Sequence, residues 1–299
     1  MRIAIYTTCA SLFGRLCQAW KNELESSGDE VHYISLPRGY KDPLPQPPGI
    51  DVNLYMGGVS MFWPLVESGF PPRGRHVLWL FEPLKDKDRP DKAKLFASTK
   101  DCFDAIISMN TENKDVIQEY LPQTPSVVIP TTVHKSQIQT PRNDQDRNID
   151  VLQLGHGSKR RKLAEQLFAS AGVQASFVYG GYYNSSKYDL MAGARISLQI
   201  HRYADAYFSH HRIIEAISVG SVIVTEPSPD MHEYGFEDKK HLVVAELDEM
   251  PNTCRALLKS KRKRNELIKN AQDLLRNRFT TTYWQNEMNS VLEAKPSRE

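Results

Sequence analysis

The sequence lacks the features of a disulfide-stapled or membrane-spanning protein. It has four cysteines among 299 residues, and no two of them form a Cys-x-x-Cys pair. This spacing favours reduced thiols in a cytosol-like compartment over a disulfide framework. No run reaches the roughly 18–20 apolar residues that a membrane span needs. The first apolar segment is interrupted by Thr7 and Thr8, which indicates a β-strand and not a signal peptide.

The sequence also lacks an excess of charge of either sign. The formal net charge is +2, from 38 basic and 36 acidic residues, so the overall charge does not favour nucleic acid as a partner. Hydrophobic residues at 40% and charged residues at 25% are typical of a globular protein, for which we expect a cytoplasmic location. A chain of 299 residues is long for one hydrophobic core, so we expect two domains.

Short apolar segments alternate with helical patterns along the whole chain. Strands are predicted at 3–6, 31–36, 51–56, 76–81, 103–109 and 126–129, and then at 150–154, 174–179, 196–200, 221–226 and 241–245. Helices are predicted at 15–26, 111–121, 159–170, from 209 to Gly220, and at 248–259, 263–278 and 282–293. This alternation predicts an α/β fold built from doubly wound parallel sheets.

A polar stretch without apolar periodicity divides the chain. We predict an N-terminal Rossmann-like domain over 1–134, a linker over 135–148 and a second Rossmann-like domain over 149–280. The helix over 281–299 is expected to pack back toward the first domain. The two domains are expected to face each other across a cleft, as ligand-binding α/β pairs do.

The stretch over 196–226 is the most informative part of the sequence. It is predicted to form a strand, a loop, a helix, a glycine stop and a second strand. Ser209 offers a side-chain oxygen as the helix cap, and Gly220 stands where a left-handed terminator is needed. A helix that begins at the carboxyl edge of a parallel sheet favours a phosphate group.

Four segments, taken in order, resemble the GT-B nucleotide-sugar glycosyltransferases, in particular the retaining branch and its short spore-coat-like relatives. VVIPTTV (127–133) resembles the end of the acceptor domain, and DVLQLGHGSKRR (150–161) the first strand and phosphate loop of the donor domain. HRIIEAISVGSVIV (211–224) resembles the family's arginine, glutamate and glycine segment, and 231–279 its tail. The resemblance implies sugar transfer from a UDP- or GDP-type donor to a hydroxyl acceptor, with retention and without a bound metal or other cofactor.

The sequence departs from the family pattern at two places. The family has an acidic residue eight positions before the ribose-binding glutamate, where this chain has Tyr207. The segment after VIP usually contains glycine and aspartate, where this chain has Thr132 and His134. The sugar-contacting loop is therefore not carried over, and the sugar is not predicted.

The resemblance assigns Glu215 to the two hydroxyls of the donor's ribose. The alternative is an ordinary ion pair of Glu215 with Arg212 or His211, which lie three and four residues before it. Arg212 either holds a phosphate or fixes Glu215.

A glycine-containing loop with cations follows the strand over 150–154. Gly155, Gly157, Lys159 and Arg160 are candidates for binding the leaving diphosphate, whose growing charge needs cations and backbone N–H groups. The alternative is a solvated helix start. The sequence does not rank Lys159, Arg160 and Arg161 against one another.

Further candidates stand at other strand ends. Gly180 lets the backbone approach the nucleobase, and the ring of Tyr182 stacks on it. The alternative is that both residues form a plain turn. His201 and Arg202 follow the strand over 196–200, His201 as a catalytic candidate or a core histidine and Arg202 as a donor-binding one.

Ser209 and His210 either present the helix start to the β-phosphate or only cap it. In the first half, Glu82 follows a strand and is a catalytic candidate as the acceptor's base, or it caps the next turn.

Two Asp-x-Asp triplets, at 86–88 and 144–146, lie in polar stretches and are interpreted as solvated loops.

Lys259–Arg264 has five cations in six residues, and the basic patch from Lys259 to Arg278 is either a solvated face or a binding surface for an anionic acceptor. A lipid, a polymer and nucleic acid are all compatible with it, although the absence of interleaved aromatics disfavours single strands. A nucleotide-sugar epimerase, a non-catalytic binder of such donors and a transferase acting on modified DNA remain alternative functions.

Overall fold

The computed structural model describes residues 1–8, 10–37, 40, 42–58, 69–71, 73–85, 91–180, 185–202 and 207–294, without the side chains of 10–12 and 185. The chain forms two compact units. The first contains Met1–His134 and Thr281–Glu299, and the second contains Lys135–Thr280. The second unit is therefore inserted into the sequence of the first.

The first unit contains a six-stranded, fully parallel sheet. Its strands are β1 (Arg2–Thr7), β2 (Glu30–Ser35), β3 (Val52–Gly57), β4 (Arg75–Leu80), β5 (Ala105–Ser108) and β6 (Ser126–Val128), in the order β2-β1-β3-β4-β5-β6. The inner strands are almost entirely buried and apolar, as expected when helices cover both faces of a parallel sheet.

Two hydrophobic cores lie on opposite faces of this sheet. On one face, α1 (Ala10–Ser26) and α9 (Gln285–Glu293) contribute Trp20, Leu24 and Met288 to a core with alternate strand residues. On the other face, α2 (Lys92–Ala97) and α3 (Lys114–Tyr120) contribute Phe96 and Ile117. The alternation of strand side chains between two faces thus distributes one sheet between two cores.

The second unit contains a five-stranded parallel sheet. Its strands are β7 (Ile149–Leu154), β8 (Ser176–Val178), β9 (Ala194–Gln199), β10 (Val222–Thr225) and β11 (Val243–Val244), in the order β11-β10-β9-β7-β8. The chain runs outward from β7 to β8 and then crosses back to β9. The strand order therefore reverses between β7 and β9, which is the switch point of a doubly wound sheet.

Helices cover both faces of the second sheet. The core on one face includes Phe168 of α4 (Lys159–Ser170), Cys254 of α7 (Met250–Leu258) and Leu267 of α8 (Lys261–Arg278). On the other face, Met191 of α5 (Ser185–Gly193) and Ile213 of α6 (His210–Ser218) lie against β7. No helix in the described ranges is long and apolar enough to span a bilayer.

The predicted fold class, two doubly wound parallel α/β sheets, is confirmed. The segment over 135–148, predicted as a linker, belongs to the second unit. Arg147 fixes it there, because its guanidinium donates to the carbonyl oxygens of Arg142 (3.2 Å), Ala194 (2.7 Å) and Gly220 (2.8 Å).

Helices α2 and α5 were not predicted from the sequence. Helix α5 connects β8 with the parallel strand β9, and such a connection must cross over the sheet, usually as a helix. The predicted capping bond of Ser209 is also wrong. Ser209 lies at the N-cap of α6, but its backbone has ψ 61° and its side chain makes no capping bond. A capping hydroxyl needs the extended backbone that Ser209 does not have.

Gly220 ends α6 as predicted, with φ +81°. An added Cβ at this position would lie 2.7 Å from Pro141 Cβ and 2.9 Å from Pro141 Cα. Gly172 also has a positive φ, +64°, but an added Cβ there has no neighbour within 4 Å. Gly172→Ala should therefore report the backbone strain alone.

We expect Gly172→Ala to lower the free energy of unfolding by about 1–2 kcal/mol. Gly220→Ala should lower it by a further amount, about 1–3 kcal/mol, because the methyl group also overlaps Pro141. Urea unfolding of both variants measures the difference. Equal losses would show that the segment around Pro141 moves aside freely.

Candidate functional site

The switch point of the second sheet lies where β7 and β9 end. Leu154 ends β7 and is followed by Gly155, while Gln199 ends β9 and is followed by Ile200 and His201. Ligands of doubly wound sheets bind outside the carboxyl ends of the strands at such a point. The predicted phosphate loop and the predicted histidine therefore lie at the same edge of the second sheet.

The loop after β7 requires glycine at its first position. Gly155 has φ +148°, and its N–H donates to the Val178 carbonyl at 3.1 Å. An added Cβ would lie 3.2 Å from Arg161 Nη1 and 3.6 Å from Arg212 Cζ. The absence of a side chain thus lets this loop approach two guanidinium groups closely.

Arg161 joins the ends of β7 and β9. Its side chain is buried, and its Nε and Nη2 donate to the Ile200 carbonyl at 3.2 and 3.0 Å, while its Nη1 donates to the His156 carbonyl. Burial, together with the nearby Arg212 charge, lowers the pKa of the guanidinium to about 10. Arg161 therefore orders the site and adds positive charge to it.

Arg160, a predicted phosphate ligand, is neutralised by a carboxylate that the sequence analysis did not select. Its Nη2 pairs with Glu226 Oε1, and Glu226 is buried directly after β10. The second oxygen, Oε2, accepts from the His201 backbone N–H at 2.7 Å. Glu226 thus connects the start of α4 with the loop after β9.

His201 is buried, and its ring already has polar neighbours. Its Nε2 lies 2.9 Å from Ser228 Oγ and 3.3 Å from the Pro227 carbonyl oxygen. Burial lowers the pKa of the imidazole, so the ring is neutral at neutral pH. The predicted catalytic role of His201 has no direct test in this geometry and stays a prediction.

Arg212 has a different environment from the other two arginines. It is partly buried in the first turn of α6, beside Gly155, and burial lowers the pKa of its guanidinium even though Glu215 is near. Among the residues that the structure describes, it has no hydrogen-bond or ion-pair partner. A partly buried charge without a partner is unfavourable, so this position favours an anion.

Glu215 is the centre of a buried polar cluster. Its Oε1 accepts from Lys187 Nζ at 2.6 Å and from the Tyr188 hydroxyl at 2.5 Å, and its Oε2 lies 3.5 Å from His211 Nε2. Both Lys187 and Glu215 are buried. Of the two contacts predicted as the alternative, the described residues show the one between Glu215 and His211, whereas Arg212 does not pair with Glu215.

The protonation of this cluster follows from its burial. Burial by itself raises the pKa of Glu215, but its cationic and hydrogen-bonding neighbours outweigh burial and lower it. Burial lowers the pKa of His211 to about 4, so His211 is neutral at neutral pH. Lys187 is therefore the cation that keeps the carboxylate of Glu215 ionised.

The remaining donor-binding candidates are distributed around this edge. Lys159 is exposed at the start of α4, Arg202 is exposed after β9, and Gly180 has φ +83° with open space at the Cβ position. Tyr182 lies outside the described residues. His210 is buried, and its ring stacks on the ring of Tyr234 with centroids 4.6 Å apart. The His210 side chain therefore packs inside the second unit at the start of α6.

Tyr179 was not selected by the sequence analysis, although it directly precedes Gly180. Its ring is 38% exposed, its hydroxyl donates to Glu165 Oε2 at 3.0 Å, and an added Cβ at Gly157 would lie 3.8 Å from its Cδ1. An exposed aromatic ring thus lies beside the second glycine of the loop.

Glu82, the other predicted catalytic residue, belongs to the first unit. It lies two residues after β4, with Oε2 3.3 Å from Lys92 Nζ, and an added Cβ at Gly58 would overlap its side chain at 2.2 Å. Asn113 donates to the Glu82 carbonyl oxygen at 3.0 Å. The side chain is therefore held at the carboxyl edge of the first sheet, and its role stays a prediction.

The acidic triplets show no sign of a cation site in the described parts of the chain. Asp144 pairs with Arg264 at 2.6 Å and with Arg195 at 3.6 Å, while residues 86–88 lie outside the description. The described residues contain no group of three His, Cys, Asp or Glu side chains placed to hold a metal ion.

A comparison with protein families agrees with this geometry. The profile of the family described as glycosyl transferase-like matches residues 159–290, a range that includes the Arg212–Gly220 segment. The solved structures that match have the GT-B fold over nearly the whole chain. This chain has the GT-B fold, and its residues 159–290 are similar to the glycosyl transferase-like family.

Three solved structures illustrate the similarity. Anabaena HepE in complex with UDP-glucose shares 12% identity with this chain at a TM-score of 0.68, and the alignment covers 98% of this chain and 99% of HepE. An alpha-glucosyltransferase in complex with UDP shares 11% identity at a TM-score of 0.66, with 98% and 100% coverage. The sucrose-phosphate synthase of Thermosynechococcus elongatus shares 11% identity at a TM-score of 0.66, with 97% and 98% coverage. No curated protein sequence matches significantly.

The lowered pKa of His211 predicts a pH dependence of stability. Between about pH 6.5 and pH 4 the folded state binds fewer protons at His211 than the unfolded state does, so the free energy of unfolding falls as the pH falls. From pH 6.5 to pH 5 this contribution is about 2 kcal/mol. His211→Asn should flatten the pH dependence by this amount in urea titrations. His232→Asn, at an exposed histidine, serves as the control. If the free energy of unfolding of His211→Asn depended on pH as steeply as that of wild type, the assignment to His211 would be wrong.

Proposed function

We propose that this protein is a glycosyltransferase that moves a sugar from a nucleoside diphosphate sugar of the UDP or GDP type to a hydroxyl group of an acceptor, with retention of anomeric configuration. The observation that carries this proposal is the guanidinium of Arg212, which has no partner among the described residues. It lies beside Gly155, at the switch point of the second sheet and in the first turn of a helix. These are the conditions under which a protein binds a phosphate group.

The cations at this edge have different roles because only some of them are already paired. Arg160 is paired with Glu226, and Arg161 is engaged with two carbonyl groups. Arg212 and the exposed Lys159 lack partners in the described residues and can meet the donor's phosphates. As the bond between the sugar and the leaving oxygen breaks, the diphosphate gains negative charge, which these cations and the N–H groups of the loop stabilise.

The ribose of the donor is assigned to Glu215. Arg212 and Glu215 are three residues apart on α6, so they lie on the same side of the helix, with their Cβ atoms about 5–6 Å apart. A nucleotide whose phosphate reaches Arg212 therefore brings its sugar hydroxyls near Glu215. HepE in complex with UDP-glucose and the alpha-glucosyltransferase in complex with UDP support a UDP-type donor.

The acceptor is proposed to be a hydroxyl compound that carries negative charge. Several cations at the start of α8 and on its exposed side have no carboxylate partner in the described residues, namely Lys259, Lys261, Arg262 and Lys269. Four basic residues in the first turn of a helix also oppose the helix dipole, which makes this turn unusually positive.

We expect Arg212→Gln to weaken UDP or GDP binding about 10–100-fold, because the charged donor to the phosphate is lost. The melting temperature without ligand should stay the same or rise, because the variant also removes an unpaired charge from a partly buried site. Isothermal titration calorimetry and thermal unfolding, each with and without nucleotide, measure the two effects.

The matched control is Arg262→Gln, which removes the same charge from an exposed position of α8. It should leave nucleotide affinity unchanged. Equal affinity of Arg212→Gln and wild type for nucleotide would overturn the proposed donor site.

Retention has its own measurement. With an α-linked nucleotide sugar as donor, the product should carry the sugar in the α configuration. The coupling constant of the anomeric proton, recorded by NMR before the product can mutarotate, distinguishes this result from a β-linked product, which would show inversion.

A further inference from the structure

We propose that Lys187 and Tyr188 are positioning residues that hold one oxygen of the Glu215 carboxylate, so that its other oxygen is presented to the ribose hydroxyls of the donor. This inference rests on the proposed function, since it concerns the same nucleotide site. It assigns a role to helix α5, whose residues belong to neither the phosphate loop nor the Arg212–Gly220 segment.

Two consecutive residues of α5 contact the same atom. Lys187 Nζ lies 2.6 Å from Glu215 Oε1, and the Tyr188 hydroxyl lies 2.5 Å from it. An ionised carboxylate offers about two acceptor positions on each oxygen. The two donors from α5 therefore fill the acceptor capacity of Oε1.

The other carboxylate oxygen is nearly vacant. Among the described residues, the ion-pair or hydrogen-bond partner of Oε2 is the His211 Nε2 at 3.5 Å, which is beyond the range of a good hydrogen bond. His211 is also neutral at neutral pH, because burial lowers its pKa to about 4. Oε2 thus retains the capacity to accept hydrogen bonds from a ligand.

The pair is not explained by stability. Lys187 and Glu215 are both buried, and removing two charges from water costs about as much free energy as their attraction returns. A buried ion pair of this kind gives orientation and a fixed protonation state at little net gain in stability. A carboxylate that must meet two hydroxyls in one geometry requires both of these properties.

The proposed ribose contact, Glu215, and the proposed phosphate contact, Arg212, belong to one helix, α6. Glu215 lies one turn after Arg212 on α6, and Arg212 lies beside Gly155. Fixing the carboxylate therefore fixes the distance between the phosphate contact and the ribose contact. A nucleotide with both hydroxyls then fits both contacts at once.

The test compares nucleotides that differ only at the ribose. The probes are UDP or GDP, whichever wild type binds more tightly, the corresponding 2′,3′-dideoxynucleoside diphosphate, and inorganic pyrophosphate. Calorimetry gives their dissociation constants for wild type, Lys187→Met, Tyr188→Phe and Lys187→Arg. Lys94→Met removes an exposed lysine of α2, in the first unit, and serves as the control.

We expect wild type to bind the ribonucleotide at least about tenfold more tightly than the dideoxy compound. Lys187→Met and Tyr188→Phe should lose most of this preference while binding the dideoxy compound and pyrophosphate as wild type does. Lys187→Arg should restore part of the preference, and Lys94→Met should leave it unchanged.

Two outcomes overturn the inference, and they are distinguishable. If wild type binds neither UDP nor GDP, the proposed function fails and this inference fails with it. If wild type prefers the ribonucleotide, but the α5 variants weaken all three ligands equally or keep the full preference, the donor site stands and the positioning role is wrong. Tyr188→Phe removes one hydroxyl group only, so its result remains decisive if Lys187→Met does not fold.

Discussion

The candidate site of this GT-B protein depends on one arginine that joins two strand ends. The guanidinium of Arg161 donates to the carbonyl groups that follow β7 and β9, so the loops on either side of the switch point are held together. Carbonyl oxygens bind the guanidinium without cancelling its charge. The same contact therefore gives the loops their shape and leaves the edge of the sheet positive, which a site for a diphosphate needs.

Some of the neighbouring charged side chains are paired within the protein, and others remain able to bind a ligand. Glu226 neutralises Arg160, and Lys187 keeps Glu215 ionised by occupying Oε1. Arg212 has no such partner in the described part of the molecule. Counting the cations of the sequence would overestimate the positive charge of the site, because pairing distinguishes these residues more sharply than their residue types do.

Most of the fold could be predicted from the sequence, since apolar segments bounded by turns mark buried parallel strands. Helix α4 and the stop at Gly220 were predicted at the residues where the structure has them. Helix α5 could have been inferred from the crossover that two parallel strands require. The pairing of Arg160 with Glu226 could not, because 66 positions separate them and only the order of the strands brings them together.

The insertion of the second unit has a consequence for how the chain is made. Helix α9 supplies Met288, Val291 and Leu292 to the core of the first unit, yet the ribosome synthesises it after the whole of the second unit. During translation α1 can already cover part of this face, but the part that α9 covers stays exposed while the inserted unit already has all of its strands. The unit whose synthesis starts first is therefore completed last, and its core stays incomplete until the end of the chain is made.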